Sequence, residues 1–115
     1  MTAEDYLSLP LKIMERVAWL ENVEKILRKT GETGKADKLR ADILRMQREH
    51  AMWMGRVETR IERLPDECER HAMRLRFIEG WRSDDIADSM SYCQRQIFRI
   101  LKRGVLHMEG ILEGC

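Results

Sequence analysis

The sequence predicts an all-α fold, and three observations lead to this prediction. Apolar residues recur at steps of three and four along most of the 115 residues, which is the period of an amphipathic helix. Aromatic residues make up only 6% of the chain, whereas sheets are rich in aromatic and β-branched side chains. Hydrophobic residues reach 43%, enough for a compact core. We therefore expect five helices, arranged as a long coiled-coil-like helical hairpin over residues 1–64 and a three-helix module over residues 65–115.

The first helix is predicted over residues 7–29. Its apolar side chains fall three or four residues apart and form one stripe, which consists of Met14, Val17, Leu20, Val23 and Leu27. Glycines follow at residues 31 and 34, and glycine is common where a helix ends. We expect a short loop there and an antiparallel return of the chain.

The second helix is predicted from about residue 36 to residue 64. Its seam positions alternate between steps of three and four, as in a coiled-coil heptad; they are Ala36, Leu39, Ile43, Met46, His50, Trp53 and Val57, continued by Ile61 and Leu64. Two interpretations fit this seam. It is a surface through which two copies of the chain form a homodimer, or it packs on the first helix of the same chain.

A third helix is predicted to begin at Pro65, because proline suits the first position of a helix. Asp66, Glu67 and Glu69 in its first turn complement the positive end of the helix dipole. Gly80 is expected to end this helix in a left-handed conformation.

The segment from residue 80 to residue 108, GWRSDDIADSMSYCQRQIFRILKRGVLHM, predicts two further helices that share one core. Their apolar positions are Ile86, Ala87 and Met90 on the first and Ile97, Ile100, Leu101 and Val105 on the second. The first helix exposes aspartates, whereas every charged side chain between residues 91 and 108 is Arg or Lys. The net charge of the chain is only +1, but this second helix carries a local excess of positive charge. A short helix, a tight turn and a basic second helix are the layout of a DNA-reading helix-turn-helix.

The basic helix supplies the predicted contacts to double-stranded DNA. Amide and guanidinium groups in its first turns suit base edges in the major groove, and the candidates are Gln94, Arg95, Gln96 and Arg99. Lys102 and Arg103 lie farther along the helix and suit phosphates. The alternative is a basic helix face that only meets solvent.

This half of the chain resembles region 4 of bacterial sigma factors, and the complete chain resembles small phage transcriptional regulators of the ArpU and RinA type. The residues at matching positions are Gly80, Asp84, Asp85, Ile86, Ala87, Met90, Ile97, Ile100, Arg103, Val105 and Met108. Three positions depart from the pattern: Ser91 replaces the glycine of the turn, Cys93 the serine cap, and Gly104 an alanine. The resemblance implies a sequence-specific transcriptional regulator of phage or prophage type, an activator in contact with promoter DNA and RNA polymerase.

The sequence gives less support to an enzyme, a metal-binding protein or a membrane protein. We expect no enzyme and no cofactor, because no Gly-rich phosphate loop, nucleophile elbow or paired carboxylate in a predicted cleft is present. Cys68 and His71 lie three residues apart, but this spacing is not that of a structural zinc site, and we expect no metal. The three cysteines, Cys68, Cys93 and Cys115, form no CxxC pair, which favours reduced thiols in the cytoplasm. No apolar run approaches the roughly 20 residues of a membrane span.

Two alternatives to transcription remain open. Terminase small subunits of phages also combine a helix-turn-helix with helical oligomerisation segments, so the chain fits a DNA-packaging protein. A purely structural helical interaction protein is the other alternative, and it would not bind DNA at any salt concentration.

Overall fold

The computed structural model describes the backbone of residues 2–113 and confirms the all-α prediction. Five α-helices follow one another: α1 (Ala3–Lys29), α2 (Thr33–Ile61), α3 (Glu67–Met73), α4 (Ser83–Met90) and α5 (Gln94–Glu113). A π-helical turn, Arg74–Ile78, extends α3, and these residues contain no strand. No helix within this range is long and apolar enough to cross a membrane. Cys68 and Cys93 are free and exposed, while Cys115 lies outside the described residues.

Helix α1 begins four residues earlier than its apolar stripe predicted, because Thr2 and Asp5 cap its first turn. The Asp5 amide donates to Oγ1 of Thr2 at 3.1 Å, and the Thr2 amide donates to a carboxylate oxygen of Asp5 at 3.3 Å. Each side chain thus satisfies an amide that has no partner within the helix. Thr2 also lowers the pKa of Asp5 by donating hydrogen bonds to its carboxylate.

The two long helices run antiparallel and are joined by a shorter loop than predicted. Gly31 takes a left-handed conformation with φ of 83°, which glycine adopts without strain, and α2 begins at Thr33. Gly34 therefore lies inside α2, where we expected loop.

The predicted seam of α2 packs on α1 of the same chain. Ile43 is completely buried against Val17 and Leu20 of α1, and Ile13, Leu39 and Met46 surround them. The second interpretation of the seam is therefore the one that the structure adopts. The predicted stripe of α1 is partly wrong, since Met14 is 49% exposed.

Glu24 is a buried carboxylate of α1 and follows Val23, the residue that the predicted stripe placed in the core. Its side chain is 7% exposed and accepts hydrogen bonds from Arg40 of α2 and from Arg28 one turn later in α1. The Arg40 guanidinium, joined by that of Arg28, lowers the pKa of the Glu24 carboxyl despite its burial. This buried carboxylate is one of the polar links between the two long helices.

The largest apolar cluster joins the α1–α2 pair to the C-terminal helices. It contains Ala3, Leu7, Val57, Ile61, Leu64, Met73, Phe77 and Met108. The predicted boundary near residue 64 lies in the turn between α2 and α3, but side chains from both sides of it share this core. The assignment of residues 1–64 and 65–115 to separate domains stays a prediction.

Helix α3 begins after Pro65 rather than at it. Asp66 is the capping residue, and one of its carboxylate oxygens accepts from the Glu69 amide at 3.0 Å. The helix then widens into the π-helical turn, and the Glu79 amide donates to the carbonyl of Arg74 at 3.0 Å. Gly80 ends this segment as predicted, with φ of 74°.

We expect the Glu24→Gln variant to lose much of the acid sensitivity of the wild-type chain. A carboxyl whose pKa is lowered by folding stabilises the folded state above its ordinary pKa, near 4.5, and this contribution disappears as the pH falls through the lowered value. Thermal melts between pH 7 and pH 3 should therefore show a smaller decrease for the variant, which starts from a lower stability at pH 7. Some decrease in stability with falling pH remains in the variant, because folding also lowers the pKa of Asp5.

The matched control for this measurement is Glu49→Gln, at an exposed position of α2. It should keep the wild-type decrease. Equal slopes for Glu24→Gln and the wild type would mean that the two arginines do not stabilise the Glu24 carboxylate.

Candidate nucleic-acid interface

The turn between α4 and α5 is tight because Ser91 adopts a left-handed conformation. Its φ is 58°, and Ser91 is the only described non-glycine residue with a positive φ. The Tyr92 amide donates to the Ala87 carbonyl at 2.9 Å, a bond that closes the end of a helix. Serine thus takes the backbone conformation for which the sigma-like pattern uses glycine, at some conformational cost.

Helix α5 begins at Gln94, and Gln96 caps it from within. The side-chain oxygen of Gln96 accepts from the Cys93 amide at 3.0 Å, which is one half of a capping box. Cysteine in the capping position is a weak acceptor for the amides of the first turn. The Gln96 contact therefore provides the side-chain cap that this turn has.

A second apolar cluster fixes the position of α5 relative to α3 and α4. Its buried members are Ala72, Ile86, Ala87, Ile97 and Ile100. Leu75, Met90, Tyr92 and Leu101 pack around them. Because one side of α5 is held in this core, its opposite side faces outward as a continuous surface.

All six predicted site residues are exposed on α5. Arg95, Arg99 and Lys102 form the middle of the outward face and make no ion pair or hydrogen bond with any described residue. Gln94 lies beside this row of cations, near Arg76 and Arg82. The other two are partly engaged elsewhere, Gln96 in the helix cap and Arg103 at 4.0 Å from Glu69.

Glu69 lies beneath the C-terminal half of α5, and its burial is a correction to the sequence analysis. We expected this carboxylate at the exposed end of a helix, but its side chain is only 2% exposed. One oxygen is 2.9 Å from Nδ1 of His107 and the other is 4.0 Å from Nε of Arg103. Glu69 therefore links α3 to α5 and limits the freedom of the Arg103 guanidinium.

A groove of about 590 Å³ runs along one side of the outward face. Its α5 wall contains Gln96, Arg99 and Arg103, and its other wall contains Asp66, Cys68 and Tyr92. The Tyr92 hydroxyl lies 3.6 Å from Sγ of Cys68, and this thiol raises the pKa of Tyr92. The acidic side chain of Asp66 bounds the cationic surface at this edge.

Two arginines extend the basic surface beyond α5, and the sequence analysis missed them. Arg76 and Arg82 share a shallow depression with Gln94 and Phe98. Arg76 donates to the Trp81 carbonyl at 3.0 Å, and Nε of Arg82 lies 3.5 Å from Asp84. Their positions in sequence give no signal of this proximity, which arises from the packing of α4 against α5.

Phe98 lies on the outward half of α5, with 59% of its surface exposed. Leu106, two turns later, is 55% exposed. The basic face therefore has apolar side chains at its margin. Within the described residues, no three His, Cys, Asp or Glu side chains lie close enough to hold a metal ion.

Comparison of the chain with protein families, with curated proteins and with solved structures finds no match.

Gly104 allows α5 to approach α3 closely. A Cβ atom at this position would lie 2.8 Å from Sδ and 2.9 Å from Cγ of Met73, which is completely buried. The glycine that departs from the sigma-like pattern is therefore explained by its neighbour on α3.

We expect Gly104→Ala to destabilise the chain by about 1 kcal/mol. Overpacking a core costs roughly 1–3 kcal/mol, and the better helix propensity of alanine offsets about 1 kcal/mol of this. Gly55→Ala is the matched control in α2, where an added Cβ meets nothing within 4 Å. It should stabilise by up to about 1 kcal/mol. Equal stabilisation by both substitutions in chemical denaturation would mean that Met73 moves aside without cost.

Proposed function

We propose that the chain is a sequence-specific DNA-binding transcriptional regulator whose helix α5 enters the major groove of duplex DNA. The observation that carries the proposal is the row of Arg95, Arg99 and Lys102, which have no partner among the described residues and share one outward face. Solvated cations without internal partners are available to phosphates, whose neutralisation releases counterions from DNA.

The packing of α5 favours DNA over a merely solvated basic face. The helix is held on its inner side by two apolar clusters, so the spacing of its outward side chains is fixed before a ligand binds. A helix whose backbone is ordered before binding loses less conformational entropy than one that must fold on its ligand. A helix that protrudes in this way has the dimensions to lie in a groove about 12 Å wide.

The six site residues divide into two roles in this proposal. Gln94 and Arg95, in the first turn, and Arg99, one turn later, reach base edges, since arginine pairs with guanine and glutamine with adenine. Lys102 and Arg103 contact phosphates. Gln96 keeps its side-chain amino group for a base, because only its oxygen caps the helix.

The resemblance to phage regulators of the ArpU and RinA type supports the proposed role in transcription. An activator in the cytoplasm of a phage-infected or lysogenic bacterium would bind promoter DNA through α5 and contact RNA polymerase with another surface. Asp85 and Asp88 of α4 line a separate depression with Trp81 and are the residues we assign to such a contact.

Selection of bound sequences from random duplex DNA tests the central claim. The full chain should enrich one short motif, and binding should weaken steeply as salt rises. A chain that retains all duplexes equally favours DNA packaging, and one that retains none at low salt overturns the proposal.

We predict that Arg95→Ala relaxes the preference at one base pair. If Arg95 reads a guanine, its loss should cost about 1–3 kcal/mol at that position and little at others. The measurement is a set of affinities for the selected duplex and its single-base variants. Arg45→Ala is the control. It removes the same charge at an exposed position of α2 and should leave the preference at every base pair unchanged. A uniform loss over all duplexes would place Arg95 on phosphate instead.

We predict that Lys102→Ala weakens binding to every duplex by a similar factor. Loss of one phosphate contact should reduce the slope of log affinity against log salt by about one. Lys38→Ala is the control, because Lys38 is an exposed lysine near the loop between the two long helices. If Lys102→Ala kept the wild-type slope, Lys102 would not contact a phosphate.

A further inference from the structure

The outward side of α1 carries a second stripe, of which the described part of the chain covers only the Trp19 ring, by the Arg16 guanidinium at 5.4 Å. It runs at alternating steps of four and three, on the side away from α2, and consists of Glu15, Trp19, Asn22, Ile26 and Lys29. All five residues are exposed. Trp19 is 58% exposed and Ile26 is 61% exposed, so two large apolar side chains lie two turns apart in solvent.

The part of the α1–α2 pair that carries this stripe has a thin core. Its apolar cluster has only three buried members, Val17, Leu20 and Ile43, with three partly buried neighbours, and the other buried residues nearby are the small Ala36 and the charged Glu24. A helix with apolar residues on two opposite sides typically packs against a partner on each side. Trp19 and Ile26 therefore mark α1 as a helix with a second packing partner.

We propose that this partner is α1 of a second copy of the chain, packed antiparallel about a two-fold axis near Asn22. The charges of the stripe select this arrangement. A parallel pair would place Glu15 opposite Glu15 and Lys29 opposite Lys29, and like charges in contact are repulsive. The antiparallel pair places Glu15 opposite Lys29 of the second copy and Trp19 beside its Ile26.

The charged groups at both ends of the stripe are free to make these contacts. Glu15 and Lys29 have no ion partner among the described residues. Asn22 meets its own copy at the axis, where paired side-chain amides fix the register of helices.

The proposal concerns a face other than the predicted seam of α2 and does not depend on DNA binding. Helix α1 has 27 residues and is about 40 Å long, so a single helix pair buries less surface than most permanent dimers do. We therefore expect a reversible dimer whose population depends on concentration. The N-terminal turns of α1 pack on the C-terminal helices, so the antiparallel pairing places the two copies of α5 toward opposite ends of the dimer.

Sedimentation equilibrium of the full chain, over about 1 to 500 μM, tests this dimer. Glu15→Lys and Lys29→Glu should each weaken dimerisation by about tenfold, because each change opposes like charges at two symmetric places. The double variant exchanges the two charges and should restore the wild-type dissociation constant to within about twofold. Trp19→Ala should weaken the dimer more than tenfold, since central aromatic residues contribute most to interfaces.

Leu44→Ala is the control, because Leu44 is a 46% exposed apolar residue on α2, outside the stripe. It should leave the dissociation constant unchanged. All four substituted positions are exposed, so circular dichroism at the lowest concentration should be the same for every variant. A monomer over the whole range, a dimer insensitive to Trp19→Ala, or a double variant as weak as the single ones would each overturn the proposal.

Discussion

The contact between Met73 and Gly104 is the constraint on which the rest of the structure depends. Met73 is completely buried, and only a glycine at position 104 lets α5 lie so close to it. The same methionine belongs to the cluster that contains Leu7 of α1 and Val57 of α2. The Met73 side chain therefore sets how closely α5 approaches α3, and it also connects α5 to both long helices.

Much of the fold could be predicted from the spacing of apolar residues, and its errors have identifiable causes. Apolar periodicity identifies the buried side of a helix only if the polar residues are exposed. Glu24 is an exception, because two arginines pair with its carboxylate and allow it to be buried. Pro65 was a sound signal for a helix start but was displaced by the stronger cap of Asp66. The π-helical turn has no signal in composition, since it results from packing between helices.

The candidate site was predicted less completely than the fold. Local sequence predicted the exposure of all six α5 residues, because exposure follows from helical periodicity once the buried side is known. It could not predict that Gln96 caps its own helix or that Glu69 reaches Arg103 across 34 positions of sequence. Such contacts depend on the distance between helices. The same reason accounts for Arg76 and Arg82, which only the folded chain brings near Gln94.

The distribution of paired and unpaired charge explains how a chain with a net charge of +1 can present a cationic surface. Four arginines of the two long helices and of the π-helical turn pair with carboxylates: Arg28 and Arg40 bind Glu24, Arg45 binds Asp42, and Arg74 binds Glu58 and Glu62. Several acidic residues are thus used to join helices, and none lies between residues 94 and 108 of α5. The unpaired cations that remain there contribute little to stability, because exposed charges in water do so only weakly. Their arrangement on a rigid face is therefore more readily explained by a ligand than by folding.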